Sequence, residues 1–73
     1  MKLNSGMLIT GRQRKGWNQT ELAEKSGVSV VTISKAENGN DVRPSTGVAI
    51  CTTLDIDLAA AVIPVESENG DAA

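Results

Sequence analysis

Apolar residues along the 73-residue chain fall in short clusters separated by glycine, asparagine and proline, the punctuation of short helices. From Ser5 to Lys15, Met7, Leu8 and Ile9 precede the basic end RQRK, which suits the negative end of a helix dipole, and Gly16 stops the segment. Gly11 in its middle costs about 1 kcal/mol relative to alanine. Next, Asn18 is placed as an N-cap with Glu21 as its capping-box partner. Trp17 and Leu22 take the two staple positions, so a helix is predicted from Gln19 to Ser26, ended by Gly27. The device then repeats: Ser29 caps, Val28 and Ile33 staple, and a helix from Val30 to Asn38 ends at Gly39.

After the polar loop GNDVRP, Ser45 is the expected cap of a helix from Thr46 to Leu54, with Val48, Ile50, Cys51 and Leu54 as its apolar set. Pro44 reinforces that boundary. Asp57 is placed to cap one more short helix, Leu58 to Val62, stopped by Pro64. A strand competes there, because LDIDLAAAVIPV alternates at its start and ends in β-branched residues, and the helix is favoured. The acidic, small and polar residues 66–73 are expected to be disordered. The predicted fold class is all-α, a compact bundle of four to five short helices over residues 5–65.

Composition narrows the function. There is one tryptophan, no Phe or Tyr and no His, so the core must be aliphatic and stacking-based binding is poorly supplied. A lone cysteine and the lack of an apolar run of signal or membrane length predict a soluble, cytoplasmic protein with no membrane partner. Cys51, within VAIC, reads as a small buried hydrophobe. With no histidine, no second cysteine, no metal-ligand spacing and no phosphate-cradling loop, no enzyme, metal site or cofactor is expected. The net charge of −2 conceals an asymmetry: residues 1–47 carry seven basic and four acidic residues, residues 48–73 five acids and no base. A polyanion would be met by the N-terminal part.

Two short helices joined by Ser26, Gly27 and Val28 make a helix-turn-helix candidate over residues 19–38. Residue sizes agree: Ala23 is small where the helices cross closely, Gly27 tolerates positive φ, and Leu22, Val28, Ile33 and Ala36 are apolar where both helices face the core. The run QTELAEKSGVSVVTISKAENG, preceded by RQRKGWN, resembles the helix-turn-helix of the Cro and phage-repressor (Xre-type, lambda-repressor-like) DNA-binding family, over roughly residues 7–62. Gln19, Leu22, Ala23, Gly27, Val28, Ile33, Glu37, Asn38 and Gly39 all fall in that family's spacing.

The resemblance implies that the second helix of the motif lies in the DNA major groove while the first crosses the backbone. By position, Gln19 would bond a phosphate, and Asn38 and Arg43 would grip the same backbone on its other side. Arg12 would pair with Glu37 as a structural bridge. The exposed face of the recognition helix would be Ser29, Val30, Val31, Thr32, Lys35 and Asn38, with Lys35 able to donate to guanine and the Ser29 and Thr32 hydroxyls to phosphate or base. Val30 and Val31 depart from the polar residues common in the family. They either extend the core or pack on thymine methyls. Glu21, Glu24 and Lys25 read as a solvated face, Trp17 as a staple anchor, and Arg14 and Lys15 as residues serving either the helix dipole or a phosphate.

The expected function is a sequence-specific duplex-DNA regulator, a repressor of phage, mobile-element or autoregulatory type. A homodimer is expected, with residues 56–65 as the candidate dimer or protein-partner surface. Two alternatives stand beside it: an antitoxin sharing the same reader, and a protein-interaction module that has kept the fold without groove contacts.

Overall fold

The structure is a computed structural model that describes residues 1–64, so the expectations for Val65 and for the 66–73 tail lie outside the described residues. Five helices follow a short first strand: β1 (Lys2–Leu3), α1 (Ser5–Arg14), α2 (Gln19–Ser26), α3 (Val30–Glu37), α4 (Pro44–Leu54), α5 (Leu58–Ala61) and β2 (Val62–Ile63). The bundle is all-α apart from β1 and β2, which pair antiparallel with Lys2 opposite Ile63 and Leu3 opposite Val62.

Local chemistry explains most boundaries. Asn18 Oδ1 accepts from the Glu21 N–H at 2.8 Å while Glu21 Oε1 accepts from the Asn18 N–H at 2.9 Å, a complete capping box at the start of α2. Asn18→Ala should cost about 1 kcal/mol in unfolding free energy, measured by urea titration. A change within error would show that the cap adds nothing to α2. Gly27 ends α2 in the left-handed region (φ 75°, ψ 13°), where a β-carbon is strained, and this reverses the chain into α3. Ser29 caps α3, its Oγ accepting from the Thr32 N–H at 3.2 Å.

Two features of α4 differ from the sequence reading, its start and the side of Val48, while its end at Leu54 agrees. Helix α4 starts at Pro44 with Arg43 in the capping position, so Ser45 lies inside the first turn. Proline fits the first helical position, where no N–H partner is needed. Val48 is exposed, and Gly47, Ile50, Cys51 and Leu54 make the buried stripe. Helix α4 ends without glycine: Asp55 takes φ 57° and ψ 41°, a conformation that Asp tolerates better than most side chains.

The segment after Asp57 contains both competing elements. Asp57 Oδ1 accepts from the Ala59 N–H at 3.2 Å and starts α5, but the helix stops at Ala61 because Val62 and Ile63 extend to pair with β1. The folded unit therefore begins before residue 5: Leu3 is fully buried and belongs to the core.

That core consists of Leu3, Leu8, Leu22, Ile33, Ala36, Ile50, Cys51, Leu54 and Ala61. Burial pushes the Cys51 thiol above its usual pKa, as expected of an inert packing residue. Gly11 permits a close approach: a β-carbon there would stand 2.8 Å from Ile56 Cδ1, so the end of the Ile56 side chain would have to shift. The propensity lost in α1 lets the α4–α5 turn dock against it. No helix among the described residues is long and apolar enough to cross a membrane.

Candidate nucleic-acid interface

Helix α3 sorts its residues cleanly into two faces. Ile33 and Ala36 are fully buried and Glu37 is 7% exposed, whereas Val30 is 41% and Val31 61% exposed. The alternative in which both valines extend the core is thereby overturned. Ile33 and Ala36 are the α3 members of the apolar core, and one turn of helix cannot aim residues 30, 31 and 33 inward together. Lys35 and Asn38 are exposed, and Thr32 is half-buried.

Orientation of α3 is set by a polar knot at its C-terminal end. Arg12 Nε donates to Glu37 Oε2 at 2.7 Å and Arg12 Nη2 to Glu37 Oε1 at 3.1 Å, a two-point pairing across 25 residues of sequence. Arg12 Nη1 donates to the Trp17 carbonyl at 3.0 Å, fastening the α1–α2 turn to the same guanidinium. The Glu37 carboxylate raises the Arg12 pKa above its ordinary value by hydrogen bonding and charge, against the opposing effect of burial. Arg12 thus stays charged at every pH at which the protein is folded.

Gln19 joins this knot. Its Nε2 donates to Glu37 Oε1 at 3.1 Å, so one amide proton is committed to the protein and the second has no partner among the described residues. The resemblance alone placed Gln19 on a phosphate; the structure adds a contact that holds its amide in one orientation. Glu37 therefore receives three donors, which is why a nearly buried carboxylate is tolerated at this position.

The other candidates divide in the same way. Ser29 is occupied by its own helix, since Oγ also donates to Thr32 Oγ1 at 2.9 Å. The hydroxyls of Ser29 and Thr32 are then bound to each other rather than presented singly. Arg43 is exposed at the start of α4 and Lys35 points to the same side: both line one recess with Met1, Thr32, Asp41, Val42 and Thr46. Ala23 is partly buried against the core where α2 and α3 cross, and Gly27 makes the turn between them.

Sequence reasoning missed Met1. Its nitrogen donates to the Val42 carbonyl at 2.8 Å and lies 2.7 Å from Asp41 Oδ1, which holds the Asp41 carboxyl below its usual pKa range. No motif signals this contact, because it joins residues 41 positions apart. Lysines flank Trp17, with Lys25 Nζ 5.1 Å and Lys15 Nζ 5.9 Å from the ring centroid. Lys15 also pairs with Asp55 at 2.6 Å, an exposed contact of little energetic weight.

The N-terminus of α2, the outer face of α3 and the start of α4 carry Gln19, Val30, Val31, Lys35, Asn38 and Arg43, of which Lys35 and Arg43 line one recess. A family model, helix-turn-helix, matches residues 8–60, most of the chain and all of α2 and α3. No curated protein matches it. The match covers the capped helices, the Gly27 turn and the Arg12–Glu37 knot together. The chain belongs to the helix-turn-helix family of Xre and lambda-repressor-like DNA-binding regulators.

Proposed function

We propose that this protein is a sequence-specific repressor that reads duplex DNA as a homodimer, with α3 in the major groove. The observation that carries this reading is the exposure of Val30, Val31 and Lys35 on one face of α3 while Ile33, Ala36 and Glu37 are buried on the other. A helix anchored on one side and open on the other, next to basic residues Lys35 and Arg43 that have no ion-pair partner among the described residues, suits insertion into a groove. Gln19, at the first position of α2, and Asn38 with Arg43, across α3, flank that helix at the two places where the phosphate backbones would run.

Val30 and Val31 have no donors, so readout at their positions is by packing on the thymine C5-methyl, while Lys35 donates to guanine O6 or N7. Ser29 and Thr32 contribute less than their hydroxyls suggest, because they bond each other. Val31→Ala should leave stability unchanged and reduce discrimination at one A·T pair by about 1 kcal/mol, roughly fivefold. Binding measured on the operator and on a duplex with that pair inverted would check this. An equal loss on both duplexes would remove the thymine contact from the mechanism.

Dimerisation is proposed because a single module of this size buries little DNA surface and two-fold operators double it. Ile56 is partly buried and Ile63 exposed, which leaves the 56–64 end apolar enough to pair. The antitoxin alternative would gain if the segment LDIDLAAAVIPV were a strand pairing across a dimer. Val62–Ile63 pairs with Lys2–Leu3 of the same chain, so this condition is not met by the observed strand.

The deciding experiment is an unbiased selection of duplexes by the purified protein, followed by binding at several salt concentrations. Enrichment of a two-fold motif is expected, with affinity falling steeply as salt is added, because the counterions that binding releases then gain less entropy. Absence of any enriched motif would sink specific readout, and absence of duplex binding in dilute buffer would favour the protein-interaction module.

A further inference from the structure

The loop between α3 and α4 is held in two halves by different neighbours. Its first half is tied to the end of α3: the Gly39 N–H donates to the Ala36 carbonyl at 3.1 Å and the Asn40 N–H to the Lys35 carbonyl at 2.9 Å. Its second half, Asp41 to Arg43, is tied to Met1. The Val42 N–H donates to the Met1 carbonyl at 2.8 Å and the Met1 nitrogen donates back to the Val42 carbonyl at 2.8 Å. Arg43 itself has no side-chain cap bond at the start of α4.

Met1 is in turn well anchored. It continues into β1, whose two residues pair with β2, and the next residue, Asn4, donates its N–H to the Ala61 carbonyl at 2.7 Å. The Met1 side chain rests on α4 at Gly47, where a β-carbon would come 2.5 Å from its sulfur. A ladder of hydrogen bonds therefore runs from the α5–β2 segment through β1 to Val42, and ends one residue before Arg43.

We propose that the Met1–Leu3 segment is a positioning element of the DNA interface: by pairing with both backbone groups of Val42 it fixes where Arg43 stands. The inference rests on the DNA-reading function proposed above. Met1 touches no base in this scheme. It acts through Val42, so that the loop is ordered on folding rather than at the moment of binding, when ordering would subtract from affinity. The Arg43 guanidinium has no ion-pair partner among the described residues and is left to the phosphate.

Val42→Pro tests this directly, because proline removes the N–H that Met1 accepts, while Val42→Ala keeps it and trims only the side chain. Affinity of the full chain for its selected duplex is measured against salt for wild type, both variants, Arg43→Gln and the Val42→Pro/Arg43→Gln double variant. Val42→Pro should bind about tenfold more weakly in dilute salt. Its slope of log K against log salt should be shallower by about 0.9 per protomer, the signature of one lost phosphate contact. Val42→Ala should keep the wild-type slope, and the double variant should bind no more weakly than Arg43→Gln alone.

A wild-type slope in Val42→Pro, or fully additive losses, would overturn the inference while leaving the function intact. A wild-type protein that binds no duplex at any salt would overturn both. Helicity and urea midpoints accompany each variant. Should Val42→Pro unfold, Gly47→Leu, which displaces the Met1 side chain from α4, is read in the same cycle with Arg43→Gln: non-additivity supports the positioning role and additivity overturns it.

Discussion

Arg12→Ala is expected to lower the unfolding free energy by about 3 kcal/mol, a large share of what a domain of this size possesses. The cost comes less from the lost attraction than from what remains. Glu37 is 7% exposed, and without Arg12 its carboxylate keeps a single donor, the Gln19 amide, in a site that water scarcely reaches. The Trp17 carbonyl loses its partner as well, which loosens the start of α2. In a domain this small the loss corresponds to a fall in melting temperature of roughly 12 °C or more. Urea unfolding followed by circular dichroism measures it. The paired replacement Arg12→Met with Glu37→Leu should recover most of the stability, because two apolar groups of similar volume need no hydrogen bonds. A loss under about 1 kcal/mol in Arg12→Ala would mean that the knot is solvated and not structural.

Ile33→Ala should be about as damaging, costing about 3 kcal/mol, whereas Val31→Ala two residues away should cost less than about 0.5 kcal/mol. Ile33 is fully buried in the core it shares with Leu8, Leu22 and Ile50, so truncation removes three carbons from a filled space and leaves a cavity. Val31 is 61% exposed and leaves no cavity. The two variants therefore separate the anchored face of α3 from its open face by stability alone, before any DNA is added. Comparable losses from both would show that Val31 packs against the protein and would remove it from the readout surface.

Much of the α2–α3 unit was legible because its signals are local. The Asn18–Glu21 box, the Ser29 cap and the Gly27 turn each act within four residues, and the structure places α2 and α3 within one residue of the sequence reading. The same holds for the inward set Leu22, Ile33 and Ala36, which follows from helical period. The α4 start was less legible, since Ser45 and Pro44 both fit a helix entry and the choice depended on where the loop ended. Val48 was misassigned because an aliphatic residue on an apolar helix reads as core whichever way it faces, and Gly47 carries no hydrophobic signal although it is buried.

Long-range contacts were the least legible part of the site. The Arg12–Glu37 pair came from resemblance, and nothing in the spacing indicated that Gln19 also holds Glu37, because a glutamine with two donors and an acceptor suits many partners. The β1–β2 ribbon was missed for a similar reason: two residues per strand are too few for a period, and their stability comes from packing Leu3 into the helical core.

The sequence by itself determined the helices, their caps and turn, and the inward stripe of the helix-turn-helix, since these depend on neighbours within a turn or two of chain. Only the tertiary structure decided which valines are open to a partner, which donors Glu37 collects, and how Met1 reaches the loop before Arg43. Those outcomes depend on which surfaces the five helices bury against one another, and that is a property of the assembled core.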